Sequence, residues 1–278
     1  MITAHSGADG TKENSLEFVK YAMQTGADAL EVDVRMGENG ILILSHDKTD
    51  EDAARLADVF RMMRERPQMR INCDLKEYGL EMAVRQLALI SGLKIDQILY
   101  SGSVRPVPVT EQCAWRDVEV FWNIEEYLPD IYKEKKEDLL FEQSAYKISR
   151  ACRKYGIHTV NVNEKIATEE FIRITGENEI DLSVWTVNEE GRFRELLEQG
   201  VKNITTRNVK IDHFGSSLAV QPVKRLIQYS DGCQQFIRIS GLPVKQIGKN
   251  KTDCYRSCDI REKVYGLIQT FSSADIKQ

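Results

Sequence analysis

Residues 27–47, ADALEVDVRMGENGILILSHD, decide how the rest of the chain is read. Leu30, Val32 and Val34 alternate with Glu31, Asp33 and Arg35, the period of a strand that turns an apolar set to one side and three charges to the other. Burying two carboxylates and a guanidinium on one strand is costly, so the pattern marks a task beyond packing. Gly37 and Asn39-Gly40 predict a turn, Ile41 to Leu44 a second apolar run, and His46-Asp47 closes the segment. Two carboxylates and an imidazole are thereby drawn toward one spot.

Upstream, Ile2 to Ala4 is a short apolar run ending on His5, so that imidazole stands where a strand gives way to a loop. A helix is predicted from Ser15 to Thr25, with Leu16, Val19, Ala22 and Met23 on one side, Phe18 at its margin and Gly26 as its stop. Downstream, Asp50 to Arg66 reads as a helix ended by Pro67. Arg70 to Lys76 repeats the design of the charged strand, with Asn72, Asp74 and Lys76 opposite Ile71, Cys73 and Leu75. Further strands are predicted at Gln97 to Ser101, Val118 to Ile124, Ile157 to Asn163, Leu182 to Val187 and Lys202 to Thr206. Helices are predicted at Leu80 to Ile90, Glu142 to Tyr155, Thr168 to Thr175 and Glu189 to Gln199. The segment with Pro106 and Pro108 has no clear period.

Such alternation calls for a parallel sheet, and about eight repeats in about 210 residues match the short end of the TIM-type (β/α)8 barrel range. The expected fold is therefore α/β, a barrel over residues 1–213, with a doubly wound open sheet as the competing architecture. Residues 214–278 form a carboxyl-terminal extension. Its first part, Val220 to Tyr229 with Pro222 near the start, could supply the closing barrel helix, whereas Ser230 to Gln278 is rich in Ser, Lys, Gln and Gly without a period.

The 278 residues are 42% hydrophobic, ample for a core, and carry a net charge of -5 with both signs dispersed. There is no basic face for a polyanion, which argues against nucleic acid. No apolar run approaches the roughly 20 residues of a membrane span, and MITAHSGADG lacks the regions of a signal peptide. A cytoplasmic protein is expected. Cys73, Cys113, Cys152, Cys233, Cys254 and Cys258 show no metal-ligand pairing and are expected to be free thiols.

In a β/α barrel, functional groups stand at the carboxyl ends of strands, where His5, Glu31, Asp33, His46, Asp74 and Lys76 all fall. Three carboxylates aimed at one point repel one another unless a cation sits among them, and a hard ion, Mg2+ or Ca2+, suits oxygen ligands. Zinc is the weaker reading, because neither histidine has a second ligand at a suitable spacing. Two imidazoles beside such an ion can move protons at neutral pH, one accepting from a nucleophilic hydroxyl and the other donating to a departing alcohol. With a metal and a lysine to hold anionic oxygens, the fitting substrate is a small-molecule phosphodiester.

HSG at His5 to Gly7, ENS at Glu13 to Ser15, GADALEVDV at Gly26 to Val34 and LSHD at Leu44 to Asp47 resemble the opening of the glycerophosphodiester phosphodiesterase family. DLK at Asp74 to Lys76, VWTVN at Val184 to Asn188 and GVKNITT at Gly200 to Thr206 continue the likeness in order. The resemblance implies a TIM-type barrel, with a divalent cation held by Glu31, Asp33 and, where the family usually shows Glu, Asp74. It implies His5 and His46 as the acid and base pair, Lys76 at the phosphate and Trp185 as an aromatic wall. The implied reaction hydrolyses glycerophosphodiesters to glycerol 3-phosphate and an alcohol.

The chain departs from the family pattern at three places. Ser6 stands where the family has an arginine that grips phosphate, a role left to Arg35 or Lys76. Asp47 leads almost at once into the next helix, where the family inserts a loop region. Arg207 stands where the family tends to carry Asp followed by Pro. Two alternatives stay open: a phospholipase D-like lyase of the sphingomyelinase D type, and a barrel that binds phosphodiesters without turning them over.

Overall fold

The structure is a computed structural model that describes residues 1–48, 52–133 and 139–210, without the side chains of 139–142. Among the described residues nine strands run β1 (Ile2–Ala4), β2 (Ala29–Met36), β3 (Leu42–Leu44), β4 (Arg70–Leu75), β5 (Ile98–Gly102), β6 (Glu119–Asn123), β7 (Thr159–Asn163), β8 (Asp181–Trp185) and β9 (Asn203–Thr206). The helices are α1 (Leu16–Gln24), α2 (Leu56–Met63), α3 (Glu81–Ile90), α4 (Leu139–Tyr155), α5 (Glu169–Glu177) and α6 (Glu190–Glu198).

The pairing of β1 decides the architecture. It lies parallel to β9, with Thr3 beside Thr205, and also parallel to β2, with Thr3 beside Ala29. The sheet therefore closes into a ring of eight parallel strands, a TIM-type barrel, and the open doubly wound alternative is excluded. β3 stands outside the ring, folded back antiparallel on the end of β2 so that Val34 faces Leu44. This hairpin carries His46 to the same rim as the carboxyl ends of β1, β2 and β4.

Alternation along each strand sorts the side chains. Val32, Val34, Ile71, Cys73 and Leu75 are fully buried among residues of α1, α2 and α3, while Val160, Val162, Leu182, Val184 and Ile204 pack among residues of α4, α5 and α6. Most of the intervening residues are polar, and several satisfy one another across the barrel lumen. The Thr3 hydroxyl donates to Asn203 Oδ1 at 2.8 Å, Asn203 Nδ2 to Ser183 Oγ at 2.9 Å, and Asn161 Nδ2 to Asn123 Oδ1 at 2.9 Å.

Local sequence explains most boundaries, and tertiary contacts explain the departures. Ser15 caps α1 by accepting from Phe18 N at 3.1 Å, and Phe18, expected at the margin of the helix, is wholly buried. The helix expected from Asp50 begins only at Leu56. Leu44 N donates to Ala54 O at 2.8 Å and Arg55 bridges Ile43, so 54–55 is extended against β3. Residues 103–118 link β5 to β6 without an α-helix. Among the described residues, no helix is long and apolar enough to cross a membrane. The expected closing helix at Val220 to Tyr229, the rest of the extension at 214–278, and Cys233, Cys254 and Cys258 lie outside the described residues.

Candidate active site

Register brings the acidic residues together. Asp33 on β2 lies beside Asp74 on β4, and Glu31 precedes Asp33 on the same inward side. Glu31, Asp33 and Asp74 each offer an oxygen within 4.8 Å of the others. Glu31 and Asp33 are buried, 6% and 7% exposed. Lys76 Nζ stands 2.7 Å from Asp33 Oδ1 and also pairs with Asp74, so the chain's own ammonium offsets part of the mutual repulsion.

Each carboxylate is also aimed by a hydrogen-bond donor. Ser6 N donates to Glu31 Oε2 at 3.3 Å, Asn14 Nδ2 to Asp33 Oδ2 at 2.7 Å, and the Ser101 hydroxyl to Asp74 Oδ1 at 2.8 Å. Asn14 Oδ1 in turn accepts from Asp33 N at 3.0 Å. Three oxygen donors oriented in this way fit a divalent cation, and Lys76 pairs with two of the three.

The electrostatics divide the three. Burial pushes the Glu31 carboxyl up to about 7; His5 and Lys76 pull it down, while Asp33 and Asp74 push it further up. Burial would also raise Asp33, but Lys76 beside it, together with the Asn14 hydrogen bond, holds it below the ordinary carboxylate range. Burial opposes the Lys76 charge as well, yet Asp74 and Asp33 overcome it and hold that ammonium firmly protonated.

His5 leaves β1 with Nε2 3.8 Å from Glu31 Oε2, which seats its ring beside the carboxylates. Its Nδ1 lies 2.9 Å from the Ser6 carbonyl and 3.1 Å from Arg207 Nε. His46 stands on the rim, its side chain 67% exposed and paired with Asp47 at 3.1 Å. Its charge would be felt at Asp33. Arg35, on the same strand as Glu31, donates from Nε to the His46 carbonyl at 2.9 Å and so anchors that loop. Trp185 ends β8 half-buried, with its Nε1 buried and unpartnered among the described residues.

Glycine is required where backbone meets the site. A Cβ on Gly102, whose φ is 74°, would stand 2.4 Å from Leu75 O and 2.5 Å from Asp74 Oδ1. At Gly7 a Cβ would stand 2.6 Å from Glu13 Cγ.

The family model described as the glycerophosphoryl diester phosphodiesterase family matches residues 5–142, about half of the chain and all of the carboxylate cluster. The chain belongs to the glycerophosphodiester phosphodiesterase family. Membership makes it a phosphoric diester hydrolase by class. Among solved structures with the same fold is an Oleispira antarctica phosphodiesterase in complex with the product sn-glycerol-3-phosphate, 16% identical over 75% of this chain and 93% of that one, with a TM-score of 0.58. Glycerophosphodiester phosphodiesterases from Thermotoga maritima (17% identity, 77% and 96% coverage, TM-score 0.53) and Agrobacterium tumefaciens (16%, 74% and 96%, 0.54) share it too. Comparison with curated proteins finds no match.

Seen as a member of that family, the chain shows how its departures are accommodated. Ser6, where the sequence resemblance leads one to expect an arginine, is 1% exposed, and its hydroxyl is committed to Asn14, accepting from Asn14 N at 2.7 Å. Arg207 forms a salt link of its own, with Nη2 2.7 Å from Glu13 Oε1. Asn14, Ser101 and Arg207 are site residues that sequence reasoning passed over. Asn14 lay within the ENS motif, and Arg207 was noted only as a departure. Ser101 gave no signal, because its role exists only through the pairing of β4 with β5.

Proposed function

We propose that this phosphodiesterase hydrolyses glycerophosphodiesters to glycerol 3-phosphate and an alcohol, with Mg2+ or Ca2+ held by Glu31, Asp33 and Asp74. The observation that carries the reading is the convergence of these carboxylates within 4.8 Å of one another, with the His5 ring 3.8 Å from Glu31. A divalent ion bound there would lend positive charge to the phosphoryl oxygens. His5 and His46 act as the acid and base pair: one takes the proton of the attacking hydroxyl while the other protonates the departing alcohol oxygen. Lys76 pairs with Asp33 and Asp74, orients them and holds Asp33 below the ordinary carboxylate range, and in this reading its ammonium also meets the phosphate. Arg35 steadies the His46 loop at the substrate's edge, and Trp185 forms an aromatic wall.

The substrate is a small molecule. The free thiols of Cys73, Cys113 and Cys152 accord with a reducing, cytoplasmic setting, which belongs to the same proposal. The test is release of glycerol 3-phosphate from a panel of glycerophosphodiesters, with and without chelator. Activity should vanish on chelation and return with Mg2+ or Ca2+, and His46→Ala should lower turnover by at least ~100-fold with melting unchanged. A rate indifferent to chelator would remove the three-carboxylate reading, and accumulation of a cyclic phosphate would make the enzyme a lyase.

A further inference from the structure

Positive charge is scarce where a phosphodiester would have to sit. Lys76 is committed between Asp33 and Asp74, and Arg35 donates to the His46 carbonyl. Ser6 is buried in its bond with Asn14. With the proposed ion and Lys76 offsetting the carboxylates, a negatively charged substrate would still find among these residues no paired N–H donors for its phosphoryl oxygens.

Arg207 meets this need from the opposite side of the barrel seam. It follows β9 directly, and β9 lies next to β1, with His5 N donating to Thr206 O at 2.8 Å. The backbone of Arg207 is pinned twice: its N–H donates to Asn188 Oδ1 at 2.8 Å, and its carbonyl accepts from Asp9 N at 2.8 Å. Its guanidinium is steered by Glu13, 2.7 Å from Nη2, and by the His5 ring, 3.1 Å from Nε. Glu13 is itself seated by the close approach of Gly7. These contacts engage two of the five guanidinium N–H groups, and the side chain is 44% exposed.

We propose that Arg207 is the phosphate-gripping guanidinium of this enzyme, held over His5 by Glu13 and directing its remaining N–H groups at a non-bridging phosphoryl oxygen. This rests on the phosphodiesterase reading and assigns within it a residue to the anion. A planar fork supplies paired donors that an ammonium cannot, and its contact with His5 keeps the bound phosphorus within reach of the proton-transferring ring. The supply of guanidinium from the last strand rather than from the first loop is a property of this chain's own residues.

The test uses the full chain, with glycerol 3-phosphate binding followed by calorimetry in parallel with turnover. Arg207→Ala should weaken glycerol 3-phosphate binding and lower kcat/KM by about 10- to 100-fold, the range for loss of a charge-assisted hydrogen bond. Millimolar guanidinium should recover part of the loss. Arg207→Lys keeps the charge and most of the length, so it serves if the alanine variant folds poorly, and it should still bind at least about 5-fold more weakly for want of paired donors. Binding within twofold of wild type in a folded variant overturns the proposal, as does a wild-type chain that binds neither glycerol 3-phosphate nor inorganic phosphate. Wild-type protein that binds glycerol 3-phosphate through Arg207 yet releases none from glycerophosphodiesters would sink the hydrolytic reading alone.

Discussion

Glu31 is the residue at which the cost of the site is concentrated. Its carboxyl is pushed up to about 7, chiefly by burial, so in the metal-free protein the neutral form is favoured below about pH 7. Because the folded value lies above the ordinary one, the stability contributed by Glu31 is fully present below about pH 4.5 and is lost as pH rises through about 7. Asp33 behaves in the opposite sense: its folded value is depressed, so its contribution is present above the ordinary carboxylate range and lost as acid protonates it. In the proposed site a metal ion would need the Glu31 carboxylate, so proton and metal would compete there. Divalent-ion affinity should therefore climb by up to about tenfold per pH unit below pH 7 and level off above it, with release of about one proton on binding near pH 6. Calorimetry in two buffers of different ionisation enthalpy measures this directly, and Glu31→Gln should abolish the proton release. A flat affinity from pH 5.5 to 8 would show that Glu31 is not a ligand.

At the scale of elements, the strand-loop junctions carry the site, and the β4–β5 junction is the tightest. Asp74 is aimed by Ser101 and closed in by Gly102, where any Cβ would strike both the Leu75 carbonyl and the Asp74 carboxylate. Gly102→Ala should cost about 1–3 kcal/mol in urea unfolding, the range for forcing a side chain onto a strained backbone. It should also weaken metal binding by displacing Asp74. Loss of stability without loss of metal affinity would mean that Asp74 is not positioned by this junction. The charged face of β2 was legible because a period of two survives in any context, and the helix following Ser15 was legible for the same local reason. The start of α2 was not: Ala53 suits a helix by composition, but β3 captures 54–55 in extended pairing. A contact with a strand of the same sheet outweighs a weak propensity.

For the whole molecule, closure of the ring between β1 and both β2 and β9 sets the positions of His5, Glu31 and Arg207, which come from strands more than 200 residues apart along the chain at the extremes. An ion that binds only the folded cluster should stabilise the barrel by about 2.7 kcal/mol at one hundred times its Kd, a melting rise of about 5–10 °C for a domain of this size. Asp74→Asn should lose that rise, and His46→Ala, whose ring is not among the three carboxylates, should keep it. An equal rise in all three would locate the ion elsewhere. The acidic residues, both histidines and the alternation of strands and helices were readable from the chain alone, because hydrophobic period and residue type are local properties, whereas closure into a barrel rather than an open sheet was decided by the pairing of β1 with β2 and β9. The orientation of each group was decided only by the closed sheet. Lys76 lies between two carboxylates, Asn14 and Ser101 aim Asp33 and Asp74, and Arg207 stands over His5, because parallel register juxtaposes residues whose separation along the chain carries no trace of their contact.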